Sequence, residues 1–216
     1  NTSGTQAAVT EGWKQDNIGW WYQNADGSYP ANSWKEINGA WYYFNSSGYM
    51  LTGWQKLDGV WYYLLPNGVM ATGWNLINGV WYYMNGSGEM QTGWQNMNGR
   101  SYYLNNSGAM LTGWQRLDGR WYYLDGSGAM ITGWLSWNGR WCYMNETQDQ
   151  YYGCLVCGHW MNRDGKTYYL DGVGYMVEGW YQVDGNWYYF YPGQGNKAVN
   201  TTIDTFYVNQ QGIWVH

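Results

Sequence analysis

Histidine is almost missing from this chain: two residues in 216, His159 and the terminal His216. An imidazole relay needs a histidine beside a nucleophile and an acid, and no Ser/His/Asp spacing stands out. Basic residues are also few. Lys and Arg number 10 against 15 Asp and Glu, giving a net charge of −5 and a pI near 4.8. Nucleic acids and anionic membranes call for clustered cations, so neither is expected as a partner. No apolar run approaches the ~18 residues that suggest a membrane span, and membrane insertion is not expected. Many Asp fall in turn pairs, which gives them a structural role. Nothing points to a carboxylate pair for glycoside hydrolysis. The chain therefore reads as no enzyme, with no cofactor. Proline and phenylalanine are down to 3 each, and Leu, Ile and Val are too scarce for an ordinary core. The chain begins at Asn1 without a charged-then-apolar leader. Residues 1–12, small and polar, read as a linker or leader remnant.

What fills the sequence instead is 19 Trp, 24 Tyr and 32 Gly. So many aromatics are foreign to disordered chains. Polar-tipped rings in bulk both pack and present faces to a ligand. They are also periodic. Gly-Trp recurs at Gly53-Trp54, Gly73-Trp74, Gly93-Trp94, Gly113-Trp114 and Gly133-Trp134, a period of 20, and Trp34 keeps the register without its Gly. Seven residues after each comes Trp41-Tyr42-Tyr43, Trp61-Tyr62-Tyr63, Trp81-Tyr82-Tyr83, Ser101-Tyr102-Tyr103, Trp121-Tyr122-Tyr123 or Trp141-Cys142-Tyr143. Met50, Met70, Met90, Met110 and Met130 form a third series. After an insertion at about 145–159 the register resumes at Trp160, Thr167-Tyr168-Tyr169 and Met176. It continues at Trp180 and Trp187-Tyr188-Tyr189. Trp13 and Trp20 look like a degenerate first copy, and Phe206-Tyr207-Val208 like a terminal one. One repeat domain thus spans residues 13–216.

Between the two tryptophan landmarks of each unit sits Asn-Gly or Asp-Gly, from Asn38-Gly39 and Asp58-Gly59 to Asp184-Gly185. These pairs tolerate the positive φ angles of a type I′ turn, and their flanks favour strands. Each unit is therefore a β-hairpin, Trp54 to Leu57 and Val60 to Leu64 for example. No window shows helical periodicity. A lone hairpin is marginal in water, so the units must stack. The fold expected is all-β, a β-solenoid of stacked hairpin repeats of about 20 residues. Alternation puts Trp61 and Tyr63 on one face and Tyr62 on the other. The inner aromatic stripe reads as stacking contact, and the two tryptophans per unit as something more.

The unit Gly-Trp-x4-Gly-x-Trp-Tyr-Tyr-x4-Gly-x-Met-x-Thr, as in Gly53 to Thr72, resembles the choline-binding repeat (cell-wall-binding repeat) family of Gram-positive surface proteins. The resemblance covers nearly the whole chain. It implies a left-handed superhelix of hairpins with choline sites between consecutive ones. Two Trp of one repeat and a Tyr of the next would form each cage, with Met nearby. It implies a secreted or cell-surface module held on the choline or phosphocholine of (lipo)teichoic acid. Carried over by strand parity, the cages are Trp34, Trp41 and Tyr63; Trp54, Trp61 and Tyr83; Trp74, Trp81 and Tyr103; and Trp114, Trp121 and Tyr143. Ser101 and Thr167 stand where a second Trp is expected, so the sites of Trp94 and Trp160 should be weak or absent. The insertion should detach Trp134 and Trp141 from a following hairpin. Related repeats also bind glucan, surface adhesins are built this way, and terminal repeats in similar proteins form dimers, which keeps a carbohydrate partner and a homodimer open.

The physics of the cage agrees with that implication. A quaternary ammonium has no N–H to donate, but ring faces attract it by ~0.5–2 kcal/mol per contact. One cage is then millimolar or near it, since 1 mM corresponds to ~4 kcal/mol. A polymer carrying many choline heads gains ~10²–10⁴ through avidity.

Cys142, Cys154 and Cys157 fall in or beside the insertion, with His159 nearby. In a secreted protein two of them are expected to form a disulfide. A metal site of Cys142, Cys154, Cys157 and His159 is the alternative, since Cys-x-x-Cys is a zinc-ligand spacing. A redox pair would need a helix N-terminus to lower a thiol pKa, and no helix is evident.

Overall fold

The computed structural model describes residues 9–215, so most of the expected linker and His216 lie outside the described residues. The described residues form strands and turns and no helix. None is therefore long and apolar enough to cross a membrane. The chain divides into two compact units, residues 1–95 with 103–110 and residues 96–102 with 111–216.

In the first unit β1 (Gly12–Gln15) pairs antiparallel with β2 (Trp20–Gln23), β3 (Ser33–Ile37) with β4 (Ala40–Phe44), β5 (Gly53–Leu57) with β6 (Val60–Leu64), and β7 (Gly73–Ile77) with β8 (Val80–Met84). Strands β9 (Gly93–Met97) and β10 (Arg100–Leu104) divide between the units. In the second unit β11 (Gly113–Leu117) pairs with β12 (Arg120–Leu124), β13 (Gly133–Trp137) with β14 (Arg140–Met144), β15 (His159–Arg163) with β16 (Lys166–Leu170), and β17 (Gly179–Val183) with β18 (Asn186–Phe190). It ends in a three-stranded sheet of β19 (Thr201–Ile203), β20 (Phe206–Val208) and β21 (Trp214–Val215).

The turns are those the dipeptides demand. Asp58 has φ 48° and Gly59 φ 86°, both positive as type I′ requires, and Asn78 and Gly79 repeat this at 50° and 80°. Such a turn fixes the register, which pairs Trp54 with Tyr63, Gln55 with Tyr62 and Lys56 with Trp61. Directly opposed residues share a face. Trp54, Trp61 and Tyr63 therefore lie on one face of the hairpin, and Tyr62 and Leu64 on the other.

The core differs from the expected aromatic stripe. From β3–β4 to β17–β18, each hairpin ends its second strand on one fully buried residue, and most of these are aliphatic. Phe44, Leu64, Met84, Leu104, Leu124, Met144, Leu170 and Phe190 are all 0% exposed. The tryptophans stay accessible at one edge; Trp61 is 41% exposed and Trp121 45%.

Hairpins stack through the methionine that closes most of the repeats. Met70 bridges back to Leu64 in its own repeat and donates its N–H to the Trp41 carbonyl of the preceding one at 2.8 Å. Met90 does the same to Trp61 at 2.8 Å and Met176 to Trp141 at 2.7 Å. The methionine side chain then lies over a loop glycine of the following repeat. A Cβ on Gly88 would stand 2.4 Å from Met70 Sδ, and one on Gly195 2.1 Å from Met176 Sδ. Only a glycine admits so close an approach.

The insertion does not break the stack. Asn145 donates its N–H to the Cys154 carbonyl and accepts from Gly153, both at 2.8 Å, closing the extra residues into a loop. Leu155 then takes the methionine's place, donating to the Trp121 carbonyl at 2.8 Å. Its side chain covers Gly174. Outside the loop, Arg120 stacks on Tyr151 at 4.8 Å and donates to the Gln150 carbonyl at 3.3 Å.

Candidate functional site

The exposed edge of most hairpins carries two indoles, and several of these pairs stand nearly at right angles; Ser101 and Thr167 take the second position in β9–β10 and β15–β16. Trp54 and Trp61 stand 6.2 Å apart with 90° between their planes. The next hairpin brings up Tyr82, 4.9 Å from Trp54 and at 68°. Three ring walls thus converge on an open space. Trp34 meets Tyr62 in the same way at 5.1 Å, with Trp41 42% exposed beside it. The copy read as degenerate is also complete. Trp13 lies 6.5 Å from Trp20 and 4.9 Å from Tyr42, around a cavity of about 420 Å³ that Met50 helps to line.

The tyrosine assignment by parity needs correcting. Tyr63 and Tyr83 do not close the preceding cage. They pair across strands with Trp54 and Trp74 of their own hairpins, at 5.1 and 5.2 Å. Tyr103 likewise pairs with Trp94 at 5.1 Å, and Tyr143 with Trp134 at 5.1 Å. Hairpins stack front to back, so the closing ring must come from the face opposite the tryptophans. That is the first tyrosine of each pair. Trp74 and Trp81 keep their two walls at 6.5 Å.

In the second unit, Trp114 and Trp121 stand 6.4 Å apart at 83°. Cys142 occupies the closing position and supplies no ring. Trp137 does so instead, 6.0 Å from Trp114 and at 83°. It replaces the aliphatic residue found at Leu57 and Ile77 and shares the face of Cys142. The result is a box with three indole walls and a volume of about 370 Å³, with Leu155 and Tyr175 also lining it. Tyr143 is turned to another task. Its hydroxyl donates to Glu146 Oε2 and accepts from Arg163 Nη1, each at 2.6 Å, and Glu146 and Arg163 are themselves ion-paired.

Two further sites were missed by sequence reasoning. Trp134 and Trp141, 6.4 Å apart, do find a following hairpin, because the insertion folds back on itself. Tyr168 closes that cage at 5.1 Å from Trp134, with Met176 in the lining. Trp180 and Trp187 meet the terminal sheet, where Phe206 takes the tyrosine's place at 5.8 Å and Trp214 adds a fourth ring at 6.5 Å. The signal for the first was the resumed period at Trp160; for the second it was Phe206 in register with Tyr188.

Burial pushes the Tyr62 phenol above its ordinary value, and Glu89 and Asp58 push it the same way. The box attracts a cation through ring faces alone, and the tetrahedral shape of a methylated ammonium suits three mutually inclined walls.

The cysteines are three free thiols, so the expected disulfide is not formed. Cys142 and Cys154 are both buried, the second against Tyr122. Among the described residues no group of three or more His, Cys, Asp or Glu gathers as a metal site. His159 is exposed, with Nδ1 2.6 Å from the Cys157 carbonyl.

A stack of hairpins with an aromatic box where one repeat meets the next defines a repeat-built binding module. The model of the choline-binding repeat matches this chain at residues 31–72, 51–92, 71–113, 91–133, 111–153 and 156–201. The chain belongs to the choline-binding repeat family. Choline binding protein F of Streptococcus pneumoniae, solved with a peptidoglycan analogue, is 36% identical over 92% of this chain and 76% of its own, with a TM-score of 0.76. A second crystal form of that protein aligns at 27% identity over 96% and 99%, with a TM-score of 0.61. The modular autolysin LytC of S. pneumoniae, in complex with a synthetic peptidoglycan ligand, is 29% identical over 83% of this chain and 46% of its own, with a TM-score of 0.51. None of the curated proteins compared with the chain matches it.

Proposed function

We propose that this chain is a non-catalytic cell-wall-binding module that takes the choline heads of a teichoic-acid polymer into aromatic cages between consecutive hairpins. On the cell surface it anchors the protein that carries it. The observation that carries this reading is the geometry of Trp54, Trp61 and Tyr82, three inclined rings from two hairpins around one accessible space. Cages with a closing ring include those of Trp13, Trp34, Trp54, Trp134 and Trp180 with their partners, together with the box of Trp114, Trp121 and Trp137. A sugar ring would favour a flat platform rimmed by hydrogen-bond donors, whereas these walls stand at 68° to 90° to one another. Calorimetry with choline and with α-glucan oligosaccharides tests the reading. Saturable heat with choline near millimolar, lost stepwise as cage tryptophans are removed, is the expected result. No heat with choline at tens of millimolar, or heat with the glucan alone, overturns it.

A further inference from the structure

Lys197 stands where other repeats carry methionine. Its N–H donates to the Thr167 carbonyl at 2.7 Å, as that of Met176 does to Trp141. It bridges to Phe190 as Met70 does to Leu64. Its stem follows the methionine's path over a loop glycine: a Cβ on Gly212 would lie 2.9 Å from Lys197 Cδ. A methionine would end there, but the lysine continues. Its Nζ lies 5.1 Å from the Trp160 ring centroid and 5.5 Å from that of Tyr188. It also donates to the Gln211 carbonyl at 2.7 Å.

Trp160 and Tyr188, 4.9 Å apart at 73°, are the pair that elsewhere forms two walls of a cage. The third wall is gone. Thr167 replaces the second tryptophan and its hydroxyl donates to Asn162 Oδ1 at 2.7 Å. The lost indole and the added ammonium therefore fall in the same repeat and on the same space.

We propose that Lys197 is the resident cation of the Trp160–Tyr188 cage. Its ammonium fills the space that an external quaternary ammonium takes in the other repeats. This repeat is thereby closed to choline and serves to tie hairpins β15–β16 and β17–β18 to the terminal sheet. The exclusion of choline rests on the function proposed above, while the seat of the lysine does not. The magnitudes favour the internal ligand. A tethered group acts at an effective concentration of ~1 mM or more even on a flexible linker, and a lysine fixed by its own backbone hydrogen bond exceeds that. A free choline that binds an open cage near ~1 mM must compete with that internal ammonium and so binds this cage more weakly than the others. Burial draws the lysine pKa down from its ordinary value, and the two ring faces and the Gln211 carbonyl offset that desolvation.

The test pairs NMR of the unaltered chain with crystals soaked in choline. The Lys197 Hε protons should lie upfield of those of the other lysines, shifted by the two ring currents, and should stay there at tens of millimolar choline. Soaked crystals should show choline at Trp54–Trp61–Tyr82 and none at Trp160–Tyr188. In the double variant Lys197→Met, Thr167→Trp the choline count should rise by one, at this cage. Hε protons at ordinary positions would overturn the proposal. So would choline between Trp160 and Tyr188 with Lys197 displaced. Upfield Hε protons with choline in no cage would uphold the lysine's seat and overturn the choline reading instead.

Discussion

Trp54 of one hairpin meets Tyr82 of the next edge to face, 4.9 Å between centroids, while Tyr83 turns away to pair with Trp74 of its own hairpin at 5.2 Å. The two adjacent tyrosines therefore do different work. Removing a cage wall costs ~0.5–2 kcal/mol of cation attraction. Tyr82→Ala should weaken choline at the Trp54 cage by about 2- to 30-fold. Tyr83→Ala should leave that cage unchanged and lower the melting temperature instead. An NMR titration following the Trp54 indole N–H reads the first effect, and a thermal melt the second. Equal loss of affinity in both variants would contradict the assignment.

The box of three indoles makes a separate forecast. With Cys142 at the closing position, Trp137 supplies the third indole wall to Trp114 and Trp121, and Tyr175 also lines the space. Trp137→Leu, which copies the residue at Leu57, should weaken that box by about 2- to 30-fold. Adding Cys142→Tyr should restore it by rebuilding the wall from the usual side. Titration of the Trp121 indole signal checks both steps, and full affinity in Trp137→Leu would rule out the role.

Loop and turn glycines should differ in cost. Gly79 has φ 80° and nothing within 4 Å of an added Cβ, so Gly79→Ala meets only backbone strain of ~1–2 kcal/mol. Gly88 has φ 81° and would place its Cβ 2.4 Å from Met70 Sδ. Gly88→Ala adds overpacking of ~1–3 kcal/mol to the same strain. Each 1 kcal/mol moves the melt by roughly 2–4 °C at this chain length. Calorimetric melts should therefore rank Gly88→Ala well below Gly79→Ala; the reverse order would mean that methionine does not hold the stack.

Alkaline pH should loosen the second unit. Burial pushes the Cys142 thiol up from 9.0 to about 11 and, with Cys154 beside it, the Tyr122 phenol from 10.0 to about 12. A raised acid pKa means that the folded state keeps its proton after the unfolded state has lost it. Stability is then complete below about pH 9 and falls as pH rises through 9–12. Urea midpoints from pH 8 to 11 should fall, and Cys142→Ala should flatten the first part of the descent. A rising midpoint over that range would refute the assignment of the two groups.

Much of this protein is determined by its sequence alone. The Asn-Gly and Asp-Gly pairs set the type I′ turns through positive φ. The turns set the register, and the register puts Trp54 and Trp61 on one face. All of that is local chemistry within twenty residues. The core residue was less legible, because one leucine or methionine per repeat is faint among so many rings, yet Leu64 and Met84 are what is sealed from water.

Only the tertiary structure decided how cages close. Strand parity reports which residues share a face, and Tyr63 does share one with Trp61. A cage between repeats needs a ring from the opposite face, and that depends on hairpins stacking front to back. The same stacking brings Trp137 to a space that Cys142 leaves empty, Tyr168 to Trp134 across the insertion, and the Lys197 ammonium to Trp160 and Tyr188. Each is a contact between residues far apart in register, settled by where neighbouring repeats lie and not by any pattern within one.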